Sequence, residues 1–226
     1  MRGKEESGPD SYGILDARSK TVQLGGSTIL VLGTIKGLLS EGGIVRNAFD
    51  RFGPDVIGIH IGREEIGGLR KVVEGKVKST YLSSYEKIYA RELSRFGEVQ
   101  VPPPSLVEAC RLSMEHKVPL KGLDMGDERY TELYTRYIDG VTMVRQSLRQ
   151  KRVNRKKFKS ATPEEFVLEW DLTANKMKGY RLLEERREKT IAVKLGRTAK
   201  KYSKVLAVLE LERMEGILDK LDQGST

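Results

Sequence analysis

The sequence predicts an α/β protein: an open, mostly parallel sheet flanked by helices, with a helix-rich carboxy-terminal half. Three observations predict it. Four short apolar runs, STILVLG at 27–33, DVIGIHIG at 55–62, VPLKGLD at 118–124 and SKVLAVLEL at 203–211, have the length and β-branched content of buried strands. The segments between them carry apolar residues at helical spacing. The first two runs enclose one such helix within 35 residues, which makes a βαβ unit with parallel strands.

Each element has its own signal. Residues 1–20 read as a flexible tail preceding a single domain over 21–226. TVQL, Gly25-Gly26 and STILVLG form a β-hairpin, because a glycine pair supplies the positive φ of a two-residue turn. From Ser40, a candidate N-cap, Ile44, Val45, Ala48, Phe49 and Phe52 mark one face of a helix that Gly53-Pro54 ends. Residues 63–74 and 83–96 are helical, and three prolines at 102–104 turn the chain into a helix through His116. After the third strand, GDERYTELYTRYI returns to helical spacing, and a basic helical segment covers about 140–160. Thr162-Pro163-Glu164-Glu165 carries the capping-box pattern with proline at the first helical position. Gly179 is expected to separate that helix from the next, Leu182 to about Tyr202, and Met214–Leu221 forms the last helix.

Composition narrows the function classes. The 226 residues are 38% apolar and 32% charged, with a formal net charge of +9. No apolar run reaches the ~18 residues needed to span a bilayer, and the amino terminus lacks the apolar core of a signal peptide. The expected location is cytoplasmic. Cys110, the lone cysteine, lies on the apolar face of a predicted helix and reads as core. The two histidines, His60 and His116, are too few and too far apart for a zinc site, so neither a metal nor another cofactor is expected.

Much of the positive charge is concentrated. Residues 145–159, RQSLRQKRVNRKKFK, contain eight Lys or Arg and no acid. Single-stranded nucleic-acid binders interleave aromatic residues with such charge, and here only Phe158 is present. Nonspecific nucleic-acid binding is therefore a distant alternative. A solvated face or a surface for an acidic protein partner is the simpler reading, and exposed Leu148 and Val153 would suit a homodimer.

In an open α/β sheet, ligands bind beyond the carboxyl ends of the strands. Gly33 and Lys36 follow the first buried strand, and His60 ends the second. GTIKGLLSEGG matches neither common phosphate-loop pattern, so it reads as a βα turn carrying a solvated lysine.

Several stretches together resemble the TraB/PrgY pheromone-shutdown family, whose wider relatives include Tiki proteases, ChaN haem-binding proteins and erythromycin esterases. VLGTIK is similar to the family's strand ending in G-T-x-H, with Lys36 at the histidine. PDVIGIHI at 54–61 resembles P-D-V-V-x-V-E-L, with His60 at the glutamate. LKGLD retains the aspartate of a later strand as Asp124, followed by Met125 in place of arginine. RREKTIA at 186–192 resembles E-R-D-x-x-M-A, with Arg187 matching, Glu188 replacing aspartate and Arg186 replacing glutamate. KVLAVLELERMEGI at 204–217 is similar to the last strand and its G-x-x-H loop. Gly216-Ile217 match there, and Arg213 stands for the second histidine.

The resemblance covers roughly residues 27–222 and implies the TraB-like α/β fold, without the membrane-spanning tail of many members. It also implies a changed site. Lys36, His60 and Arg213 occupy positions thought to bind metal in the protease members, and charged Lys and Arg have no lone pair to offer. The expectation is a non-catalytic binding or regulatory protein in which Lys36, His60, Arg187 and Arg213 hold a small anion. The alternative is a residual hydrolase using His60, Asp124 and Glu188 as acid and base groups.

Overall fold

The computed structural model describes residues 17–77 and 83–223. Its sheet contains β1 (Ser19–Leu24), β2 (Ser27–Thr34), β3 (Val56–Ile59), β4 (Leu120–Gly122) and β5 (Lys204–Glu210). Their spatial order is β1-β2-β5-β3-β4. The hairpin strand β1 is antiparallel at one edge, and the other four are parallel. Gly25 and Gly26 turn the hairpin at φ 56° and 88°, where glycine carries no steric penalty.

Helices cover both faces. Between β2 and β4 come α1 (Glu41–Phe52), α2 (Ile66–Val73), α3 (Ser84–Leu93) and α4 (Pro104–His116). Between β4 and β5 come α5 (Asp127–Tyr137), α6 (Gly140–Val153), α7 (Pro163–Ala174) and α8 (Lys178–Ala199), and α9 (Leu211–Gln223) follows β5. Ile44, Val45, Ala48, Leu106, Ala109, Cys110 and Leu69 bury one sheet face against Leu32, Ile57, Ile59, Leu206 and Val208. On the other face Ile191, Leu195, Ile217 and Leu221 of α8 and α9 pack on Ile29, Val31, Val205 and Ala207. Both faces of β5 are thus buried, which explains its unbroken apolar run. Among the described residues no helix is long and apolar enough to cross a membrane.

This topology creates a crevice. The chain leaves β2 toward α1 on one face and leaves the neighbouring β5 toward α9 on the other. Adjacent strands whose following helices diverge in this way mark the switch point where open sheets hold ligands. Gly33 serves the packing here: a Cβ would come within 2.8 Å of Leu211 Cδ1 and 3.2 Å of Leu211 Cα at the start of α9.

A third cluster closes the sheet's carboxyl end. Phe166 and Trp170 of α7, Ile88 and Leu93 of α3, and Phe158 surround Ile35 and Leu38 just beyond β2. Tyr89 packs on Phe166 and Trp170, with ring centroids 5.6 and 5.4 Å away.

Several local expectations need correction. Arg18 is buried against Glu41 and β1 begins at Ser19, so ordered structure starts before the expected boundary at residue 20; residues 1–16 lie outside the described residues. Ser40 adopts a helical backbone and makes no side-chain cap. Thr162 caps α7 through the Glu165 N–H, but the Glu165 carboxylate takes the Ala161 N–H, one residue short of a reciprocal box. Gly179 lies in the first turn of α8, where a Cβ would collide with the Tyr137 carbonyl; the break falls at Asn175–Met177. Val153 is buried, because it belongs to the face of α6 turned toward the aromatic cluster, whereas Leu148 is exposed.

Candidate functional site

At the switch point lies a cleft of about 210 Å³. Lys36 and Gly37 enter it from the turn after β2, and Glu210 and Glu212 from the end of β5 and the start of α9. Tyr85, Glu86 and Tyr89 of α3 form one wall. Trp170 and Asp171 of α7, with Glu184 and Arg187 of α8, form the other, and Arg213 stands beside them. Lys36 and Arg213, brought together on the sequence pattern, do share this cleft.

Its cations already have partners. Arg187 donates through Nε and Nη2 to Asp124 Oδ2, at 2.9 and 2.6 Å, and through Nη1 to Glu184 Oε2 at 2.9 Å. Glu210 Oε2 lies 3.9 Å from Nη2. Burial opposes the guanidinium charge, but Glu184, Glu210 and Asp124 more than offset it and hold Arg187 protonated. Arg213 donates to Glu188 Oε1 at 3.1 Å, is paired with Asp171, and has Glu184 Oε2 3.8 Å from Nε. Lys36 lies at the mouth, its side chain 43% exposed, with Glu86 Oε1 3.6 Å away. The four expected anion holders therefore do not present a surplus of positive charge. Each faces at least one carboxylate, because the helices packed over the strand ends supply more acids than the strand turns supply bases.

His60 lies behind the cleft. Its Nδ1 donates to the Val208 carbonyl at 3.1 Å, and Nε2 faces Glu210 Oε1 at 3.7 Å. Its role in this geometry is to support Glu210. Burial would raise the pKa of Glu210, but His60, Arg187 and Lys36 hold it below the usual carboxylate range.

Glu212 behaves differently. Burial and the neighbouring Glu210 charge push its pKa up to about 8. Its Oε2 is buried without a hydrogen-bond partner, as is the hydroxyl of Tyr89. Burial and the charges of Glu212, Glu210 and Glu41 raise that phenol well above its ordinary range. Glu184 is also raised by burial, against the pull of Arg187.

The three acid–base candidates do not form one constellation. Asp124 spends Oδ2 on Arg187 and Oδ1 on the Met125 N–H. Glu188 holds Arg213 through Oε1 and Lys220 Nζ through Oε2, the latter at 2.7 Å. A side chain at Gly216 would run into that Glu188 carboxylate. None of the three lines the cleft; Glu188 lines a separate, larger groove beside α6. Among the described residues no three His, Cys, Asp or Glu side chains are grouped to hold a metal ion.

Sequence reasoning missed Glu184, Glu210, Glu212 and the aromatic wall. Glu210 was accessible, since it ends an apolar strand run just as His60 does. Glu184 and Trp170 lie on amphipathic helices and carry no local mark of a site. The chain matches no protein-family model, and no curated protein matches it significantly.

Proposed function

We propose that this is a TraB-like protein that has kept the cleft of the fold, does no metal-dependent chemistry there, and binds a small ligand bearing a protonated amine. Support for the relationship comes from the order of the resembling segments along the fold. Lys36 follows β2, His60 follows β3, Asp124 follows β4 and Arg213 follows β5, with Arg187 reaching the same end from α8.

One observation carries the ligand class: five carboxyl groups, Glu86, Asp171, Glu184, Glu210 and Glu212, line a cleft that has three cations, each already paired, so that Glu212, buried without a hydrogen-bond partner, has no cation to balance it as it ionises. A ligand cation supplies that charge, and the Tyr85, Tyr89 and Trp170 side chains lining the cleft suit an organic ammonium. The volume, below the ~300 Å³ of ordinary ligand pockets, limits the ligand to a few heavy atoms.

The test is calorimetry and thermal melting of the full chain with small primary amines and amino acids, set against phosphate, sulfate and simple carboxylates. Amines should raise the melting temperature, because a ligand that binds only the folded state stabilises it. Binding of a cation beside Glu212 favours its ionised form, so affinity should rise between pH 6.5 and about 8.5. Glu212→Gln should remove that pH dependence. Stabilisation by phosphate or sulfate alone would restore the anion-binding expectation. Turnover in a peptidase and esterase screen, with or without divalent ions, would restore the hydrolase.

A further inference from the structure

Helix α6 carries a surface that the cleft does not use. Val141, Val144 and Leu148 are 59%, 62% and 58% exposed. At 3.6 residues per turn they fall within an arc of roughly 60° on one face. Arg145 and Arg152 flank that stripe on one side and Lys151 on the other, all exposed. Val153, on the opposite side, is the one fully buried residue of the helix and anchors it to the aromatic cluster. Exposed Leu172 of α7 stands across a groove of about 1120 Å³ from Leu148; Arg145, Arg149 and Arg152 line its α6 side, and the carboxylates of α7 and α8, Glu188 among them, line the other, so the acids lie off the stripe itself.

We propose that α6 is the docking face for an anionic lipid bilayer, lying in the headgroup plane with Val141, Val144 and Leu148 inserted. Charge complementarity selects the occupant. Arg145, Arg149, Lys151 and Arg152 of α6, with Arg155, Lys156, Lys157 and Lys159 of the non-helical segment that follows it, bring eight cations and no acid. Lys156, paired with Glu169 at 2.7 Å, is the one of them in an ion pair among the described residues. A second copy would place the same positive face against itself. Nucleic acid would satisfy the charges but leave three aliphatic side chains facing phosphates, with no exposed aromatic on the helix for base stacking; Phe158 is buried. A bilayer surface meets both requirements, since headgroups take the arginines and lysines while the acyl boundary takes the stripe.

The experiment is co-sedimentation of the full chain with vesicles of phosphatidylcholine alone and of phosphatidylcholine with roughly 30% phosphatidylserine, the anionic lipid class that attracts basic segments. The protein should partition onto the anionic vesicles at least about tenfold more strongly than onto the neutral ones. The double variant Val144→Asn/Leu148→Asn keeps every charge and should lose about tenfold or more of that binding, because two apolar side chains no longer insert. Both positions are exposed, so its thermal melting should match the parent protein. Failure to sediment with anionic vesicles overturns the proposal. So does unchanged binding by the double variant, or equal binding to a polyglutamate or nucleic-acid polymer that the variant also retains, since each reduces α6 to bare charge.

Discussion

Glu212 is a carboxyl group whose ionisation the fold moves into the neutral range. In the unfolded chain its carboxyl ionises in the usual acid range, whereas in the fold burial and Glu210 delay ionisation to about pH 8. The folded state therefore binds the extra proton between those values, and stability falls as pH rises through that window. Glu212→Gln removes this titration, so the variant should lose less stability than the parent as pH rises from 6 to 9. A difference of about 2–4 °C for each kcal/mol is expected for a chain of this size, read by calorimetry across pH. A parallel decline in both proteins would remove Glu212 from the account. Lys36 and His60 could be placed from the sequence because strand ends are recognisable. Their partners Glu86 and Glu210 could not be assigned, since a pairing between residues 50 and 150 positions apart has no local sequence signature.

Helix α7 matters more at the element scale than its modest amphipathic pattern suggests. Phe166 is fully buried, with Phe158, Tyr89, Phe96 and Trp170 ring centroids 5.3 to 6.1 Å away. Phe166→Ala should cost about 3–5 kcal/mol in urea unfolding, the usual loss for a large aromatic in a packed core. The same change should weaken ligand binding at the cleft, because Tyr89 and Trp170 form its walls. The limits of most helices follow local rules: Gly53 at φ 60° stops α1, and Ser83 with Glu86 makes a complete capping box for α3. Gly179 does not end a helix, for a physical reason. Its glycine answers a close approach from the Tyr137 carbonyl in another helix, not a need to end its own.

For the molecule as a whole, Arg187 connects α8 to Asp124, just beyond β4, and to Glu210 at the end of β5, while pairing with Glu184 of its own helix. Arg187→Met would leave these carboxylates without their common cation and should cost about 3–5 kcal/mol, as for other broken buried pairs. Arg187→Lys should recover part of this, since lysine keeps the charge but not the forked geometry that spans two carboxylates. Urea denaturation of the three proteins in parallel checks the order, and a Met variant as stable as the parent would show that the network contributes no net stability.

The sequence by itself determined the α/β class, the four buried strands, the hairpin and the order of the helices along the chain. Those features follow from apolar periodicity, turn glycines and caps, all of which act over a few residues. Only the tertiary structure decided the insertion of β5 between β2 and β3, and with it the switch point that makes Lys36 and Glu210 neighbours. It also decided which charged groups meet in the cleft. Strand-end cations suggest an anion site when read along the chain, but carboxylates from α3, α7, α8 and the start of α9 converge on them in space. Electrostatic balance is set by distance through space, which sequence separation does not encode.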